Sequence, residues 1–159
     1  MSPLARVPVL EDDAGTCLTE SAVIALYLER RFPEPRLMPL DRVEHVHEKL
    51  GLAEGLIDSA VGVVAYRRFH PESSGAPLVE RRLEAIRRTL PRVAAVIRPL
   101  MDRPDLGSIA LAVALDYLDF RLSELGWRED HDELAAWHRA IAARQSLQAT
   151  APDLEAPAF

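Results

Sequence analysis

A proline-rich segment divides this sequence into two parts of different character. Residues 33–39 read Pro-Glu-Pro-Arg-Leu-Met-Pro, with three prolines in seven positions. Such a segment is a stiff linker, because proline fixes φ and cannot continue a helix. A chain of 159 residues is long enough for one domain or two small units. We therefore expect a small N-terminal unit over residues 1–32, a linker over 33–40 and a helical domain over 41–159.

The N-terminal unit has the pattern of a β-hairpin followed by a helix. Residues 7–10 and 16–19 are short runs rich in β-branched and apolar side chains, and the Asp-Asp-Ala-Gly cluster between them is typical of a turn. Apolar residues then recur at helical spacing over residues 22–28, and Pro33 ends that helix.

The part after the linker is predicted to be helical throughout. Asp41 and Glu44 resemble a capping box that opens a helix running to about Arg68. A second long helix contains Pro91, which should kink or split it at a cost of about 3 kcal/mol. The run DLGSIALAVALDYLDFRL is apolar almost all round and predicts a helix at the centre of a bundle. A final helix covers roughly residues 132–143, and the tail from Pro152 is expected to be loose.

Composition excludes several classes of protein. The net charge of -6 argues against a nucleic-acid binder, which needs a basic face. The single cysteine, Cys17, rules out a disulfide within the chain. The start of the chain lacks the pattern of a signal peptide, and no apolar run reaches the roughly 18 residues of a membrane span. We expect a soluble, cytoplasmic protein, and the scattered histidines predict no metal site.

A few residues have the right chemistry for a site, each with a plainer alternative. The Glu20-Ser21 pair at a helix start is either a helix cap or an anion site beside a carboxylate. The Val7-Pro8 bond is either an ordinary trans bond or a cis bond that presents backbone to a ligand. Cys17 is either a nucleophile or, as we expect, a strand residue with its side chain in the core. Tyr66 and Phe69 either line an apolar pocket or belong to the core.

Two stretches together resemble the glutathione S-transferase family. VPVLEDDAGTCLTESAVIALYLERRFPEPRLMP is similar to the second half of that family's N-terminal domain, with a Val-Pro strand, a strand leading to Glu-Ser at a helix start, and a proline-rich linker. GSIALAVALDYLDFRL and LAAWHRAIAARQSLQAT are similar to the core and closing helices of its C-terminal domain. The resemblance spans Pro3 to about Pro152. It implies a mainly α fold, a glutathione S-transferase C-terminal-type helical bundle preceded by a partial thioredoxin-like ββα remnant.

The resemblance also implies a truncation and some departures. Family members begin with a strand, a helix and a strand, and the first turn carries the catalytic Ser, Tyr or Cys. Those elements are not in this sequence, so we expect no catalytic residue in the chain and little or no activity from the chain alone. The core helix usually opens with a hydroxyl residue followed by an aspartate, whereas here Asp105 precedes Ser108. Gln145 stands where a proline is common.

Part of a glutathione pocket carries over by resemblance. The backbone of Val7 would pair with the cysteinyl unit, with Pro8 as the cis proline behind it. Glu20 and Ser21 would hold the γ-glutamyl ammonium and carboxylate, and Arg6 would approach the glycyl carboxylate.

The function implied is conjugation of the glutathione thiolate to a hydrophobic electrophile, with glutathione as substrate and no metal. The alternative is a non-catalytic binding or assembly module with the same fold. The expected partner is a second copy in a homodimer, or a protein that supplies the missing strand.

Overall fold

The N-terminal unit is a β-hairpin with one helix packed on it. The computed structural model describes residues 5, 7–73, 75–97 and 104–151. Strand β1 (Val9–Glu11) pairs antiparallel with β2 (Cys17–Thr19), with Val9 opposite Thr19. In the turn, Asp12 Oδ1 accepts hydrogen bonds from the amides of Ala14 (3.0 Å) and Thr16 (2.8 Å). Helix α1 (Ser21–Arg31) follows directly.

The linker is attached to both parts of the chain. The Glu29 carboxylate, on α1, accepts hydrogen bonds from the amides of Leu37 (3.0 Å) and Met38 (2.9 Å). The Leu37 carbonyl in turn accepts one from the amide of Leu106, at 2.9 Å. These bonds hold the linker against α1 on one side and against the start of the central helix on the other.

The rest of the described chain is helical. The helices are α2 (Val43–Phe69), α3 (Pro77–Ile97), α4 (Leu106–Arg121), α5 (Trp127–Asp130), α6 (Asp132–Ala142) and α7 (Gln145–Gln148). Helix α4 lies in the middle of the bundle, and its residues Leu111, Leu115 and Leu118 are fully buried. The mainly α fold and the central position of this helix are therefore confirmed, while the three domain boundaries remain predictions.

Several local predictions differ from the structure. Asp41 does not open a capping box, because Leu40–Arg42 forms a 3-10 turn and α2 begins after Arg42 without a side-chain cap. Pro91 does not split its helix, since α3 continues through it with Pro91 on the exposed side. The short helices α5 and α7 were not predicted. The tail from Pro152 lies outside the described residues.

A buried polar cluster joins α4 to α2. Asp105 Oδ1 accepts hydrogen bonds from the Ser108 amide (2.8 Å) and hydroxyl (2.9 Å), so Asp105 caps α4. Its other oxygen forms an ion pair with Lys49 Nζ, which also donates to Ser108 Oγ at 3.1 Å. Lys49 is 1% exposed and Asp105 is 2% exposed. Burial lowers the pKa of Lys49, and the Asp105 carboxylate opposes that shift. Asp105 and Ser108 therefore stand in the reverse of the order that the resemblance implies, and Lys49 from α2 binds both of them.

Gly107 allows the two helices to approach this closely. A Cβ at that position would lie 2.6 Å from Lys49 Cβ and 2.7 Å from the backbone oxygen of Val46. Both distances are far below van der Waals contact, so only glycine fits at this crossing.

Candidate functional site

The residues expected to bind a ligand lie at one end of the hairpin. Val7 and Pro8 come just before the paired part of β1, and Glu20 and Ser21 come just after the paired part of β2. In an antiparallel pair, the start of one strand lies beside the end of the next, so these four residues are neighbours. The Val7–Pro8 bond is cis, and Val7 is 92% exposed.

The first turn of α1 opens towards solvent beside that hairpin end. Glu20 occupies the N-cap position, but its side chain makes no capping hydrogen bond, so the simple helix-cap interpretation is wrong for Glu20. Ser21 is exposed as the first helical residue. Amides of a helical first turn carry a partial positive charge, and an anion is the group that they bind.

Glu20 also has an unusual backbone. Its φ of 69° and ψ of 126° fall in a region that L-residues rarely adopt. Such a conformation costs on the order of 1–3 kcal/mol and is found disproportionately at functional sites. The strain therefore falls on the same short segment as the open helix start.

An apolar pocket of about 320 Å³ begins at Ser21. Helix α1 forms one wall and helices α2 and α4 form the others. The lining residues are Ser21, Ala22, Ala25, Leu50, Ala53, Glu54, Ile57, Leu106, Ile109, Ala110 and Val113. The open helix start thus borders an apolar space rather than bulk solvent alone.

A second pocket, of about 270 Å³, adjoins the first. Both pockets are lined by Ile57 and Val113, so they lie next to each other along α2 and α4, and we call the two together the trough. The remaining lining residues of the second pocket are Asp116, Tyr117, Phe120, Leu147, Thr150 and Ala151. Sequence reasoning chose none of these residues, because the apolar pattern of α4 predicts burial on every side and does not reveal that Val113 is exposed.

The other candidate residues lie elsewhere. Arg6 is outside the described residues. Tyr66 is half-buried against the helical core, with its ring 4.7 Å from that of His70. Phe69 is exposed and lines a different groove, and it lies twelve residues beyond Ile57 on α2, about 18 Å along the axis. Cys17 is exposed, so the expectation that its side chain lies in the core is wrong.

Neither a membrane-spanning helix nor a metal-binding cluster is found among the described residues. No described helix has the length and hydropathy needed to cross a membrane. Among the same residues, no group of three or more His, Cys, Asp or Glu side chains is placed to hold a metal ion.

Comparisons with known proteins agree with one another. Residues 1–36 match the model of the glutathione S-transferase N-terminal domain, and residues 76–140 match that of the C-terminal domain. A protein described as an uncharacterized GST-like protein, YibF of Escherichia coli, is 32% identical over 157 residues, which are 95% of this chain and 77% of that protein.

Solved structures are similar over the same extent. A glutathione transferase family member from Pseudomonas fluorescens with bound glutathione superposes with a TM-score of 0.87 at 36% identity, covering 95% of this chain and 76% of that one. A glutathione S-transferase from Methylobacterium radiotolerans, in complex with glutathione sulfonate, gives a TM-score of 0.88 at 30% identity, covering 99% and 77%. The predicted fold class is confirmed by these likenesses.

Proposed function

The chain belongs to the glutathione S-transferase family, and on that premise we propose that it binds glutathione at the hairpin end and an electrophile in the adjoining trough. The proposed reaction is attack of the glutathione sulfur on a hydrophobic electrophilic small molecule. The observation that carries the proposal is the uncapped start of α1, where Ser21 faces an apolar pocket. The glutathione bound in a related solved structure supports the same choice of ligand.

The γ-glutamyl end of glutathione suits the start of α1. That end carries a carboxylate and an ammonium group on the same carbon. In the proposal, the carboxylate binds the first-turn amides and the hydroxyl of Ser21, where the helix dipole favours negative charge. Glu20, immediately before, supplies the opposite charge for the ammonium group. The two neighbours thus match the two charges of the ligand.

The extended part of glutathione suits the edge of the hairpin. Val7 is almost fully exposed, and an extended peptide can pair with such backbone as an added strand. We propose that the cysteinyl unit pairs with Val7, with Pro8 behind it, and that Arg6 meets the glycyl carboxylate. In this arrangement the γ-glutamyl end is fixed at Ser21, which lines the first pocket of the trough. The sulfur of the neighbouring cysteinyl unit would then point towards the trough.

The trough is proposed to hold the electrophile. Its lining is mainly aliphatic and aromatic, which favours an apolar molecule. Holding the two reactants side by side contributes to the rate even without further chemistry. We assign none of the described residues to activation of the sulfur. A non-catalytic glutathione-binding module is therefore the second candidate, and measured turnover with a general electrophile separates the two.

Calorimetric titration with glutathione tests the proposed site. Ser21→Ala and Glu20→Ala should each weaken binding by about 1–3 kcal/mol, the usual cost of a lost hydrogen bond to a charged group. Ser123→Ala, an exposed serine in the 3-10 turn after α4, serves as the matched control and should bind like the parent chain. No binding by the parent chain, or equal affinities in all variants, would contradict the site.

A further inference from the structure

The second pocket of the trough has an acidic side chain in an otherwise uncharged lining. Asp116 lines the second pocket, and the other lining residues there are apolar or neutral: Ile57, Val113, Tyr117, Phe120, Leu147, Thr150 and Ala151. Among the residues that the structure describes, this lining includes no arginine, lysine or histidine. A carboxylate in apolar surroundings attracts a cation or a hydrogen-bond donor more strongly than one in water does, because the local dielectric is lower.

The group behind Asp116 does not neutralise it. His138 Nε2 lies 2.9 Å from Asp116 Oδ1, although the contact is too poorly aligned to count as a hydrogen bond. Arg128 Nη2 lies 2.9 Å from the other ring nitrogen, Nδ1. A guanidinium only donates, so Nδ1 must accept and the proton of a neutral ring is on Nε2, facing Asp116. Burial lowers the pKa of His138, and the nearby Asp116 carboxylate only partly opposes this.

The positive charge of Arg128 is already matched. Its Nε and Nη2 donate to Asp119 Oδ2 at 3.1 and 2.6 Å, and Trp127 Nε1 donates to Asp119 Oδ1 at 2.8 Å. The cluster therefore holds two carboxylates, one cation and a neutral imidazole. One negative charge is left over, and it belongs to the carboxylate that lines the pocket.

We propose that Asp116 determines specificity by selecting second substrates that join an apolar body to a cationic group such as a protonated amine. The apolar body contacts Ile57, Val113 and Phe120, and the cation meets Asp116. The description of this ligand as the second substrate rests on the proposed glutathione function; the charge preference of the pocket does not. Arg68 and Arg121 line the neighbouring groove, which shares Tyr117 with this pocket, and anionic ligands would be drawn there instead.

Three probes of similar size and different charge test this preference on the full chain. They are 3-phenylpropylammonium, 3-phenylpropanol and 3-phenylpropanoate, with dissociation constants measured by protein-observed NMR. The ammonium probe should bind about tenfold more tightly than the propanoate, since one hydrogen-bonded charge pair contributes about that factor. Asp116→Asn should remove this advantage and leave binding of the alcohol unchanged.

Two further variants keep the test decisive. Glu80→Gln removes the same charge from an exposed position on α3, away from the pocket, and should bind all three probes like the parent. Val113→Lys places a cation in the lining without touching His138, and should abolish the ammonium preference even if Asp116→Asn does not fold.

The outcomes separate this inference from the proposed function. Equal affinity for the ammonium and propanoate probes, or a preference unchanged in both pocket variants, overturns the inference even where glutathione binds at Ser21. An Asp116-dependent preference in a chain that binds no glutathione supports the inference and contradicts only the glutathione site.

Discussion

Replacement of Lys49 by methionine should be among the most destabilising single changes in this chain. Methionine keeps most of the apolar stem of lysine but removes the ammonium group. Lys49 and Asp105 are 1% and 2% exposed, so no water replaces the lost partner. The Asp105 carboxylate is then left buried with a charge and no cation. The expected result is a large loss of stability with little change in packing.

The magnitude follows from the contacts that remain. Removal of one partner of a buried pair typically costs about 3–5 kcal/mol. Here Asp105 Oδ1 keeps both hydrogen bonds from Ser108, while Oδ2 loses its bond to Lys49. We therefore expect about 3 kcal/mol, the lower end of that range. Asp105→Asn should cost a similar amount, because it leaves the lysine unpaired.

Urea unfolding followed by circular dichroism measures these changes. The double variant Lys49→Met/Asp105→Asn should cost no more than either single variant, because each change removes the group that the other leaves unpaired. Arg92→Met is the matched control. It breaks an ion pair with Glu48, the neighbour of Lys49 on α2. The side chains of Arg92 and Glu48 are 59% and 34% exposed. An exposed pair contributes about 0–1 kcal/mol, so this variant should be nearly neutral.

Two results would refute this reasoning. If Lys49→Met and Arg92→Met lose the same small amount of stability, burial does not make the first pair important. If the double variant loses the sum of the two single losses, Lys49 and Asp105 do not interact in the folded state.

Three other predictions concern glycines, pH and association. Gly55→Ala on α2, where an added Cβ meets nothing within 4 Å, should stabilise the protein by about 0.5–1 kcal/mol. Gly107→Ala should instead cost about 1–3 kcal/mol through overpacking. If thermal melts show that the two glycine variants change Tm in the same direction, the close approach at Gly107 is contradicted. Stability should fall as the pH drops below about 6.5, because His138 is protonated more readily in the unfolded chain than in the folded one. His138→Gln should reduce the change in Tm between pH 7.5 and 5. The exposed His47 is the control, and His47→Gln should leave that change in Tm as it is in the parent. Light scattering should show self-association, since Val7, Phe32 and other large apolar residues of the N-terminal unit are exposed; a monodisperse monomer would contradict this.

Sequence patterns predicted the elements that depend on near neighbours. The Asp12–Gly15 turn, the helix ended by Pro33 and the all-apolar α4 each follow from residues within one or two turns of one another. Turn chemistry and hydrophobic spacing are local, so they can be read from a single sequence.

Features built from distant residues could not be predicted in this way. Lys49 meets Asp105 across 56 positions, and a lone lysine on a helix is expected in water rather than in the core. The trough combines Ile57 from α2 with Val113 and Asp116 from α4, and aliphatic residues on these helices would equally be expected in an ordinary core. Asp41 failed as a cap because local sequence does not reveal a 3-10 turn at the start of a helix.

The layout of α4 has a consequence for how this protein can change over generations. The buried ion pair and the glycine crossing that join α4 to α2 lie at the start of α4, at Asp105, Gly107 and Ser108. Asp116 and Phe120, which line the second pocket, lie in the second half of the helix, the first of them eight positions and about 12 Å beyond Ser108. There they are interleaved with Leu115 and Leu118, which are fully buried in the core. We therefore expect substitutions at Asp116 and Phe120 to change the preferred ligand while those leucines and the polar cluster keep α4 in the bundle.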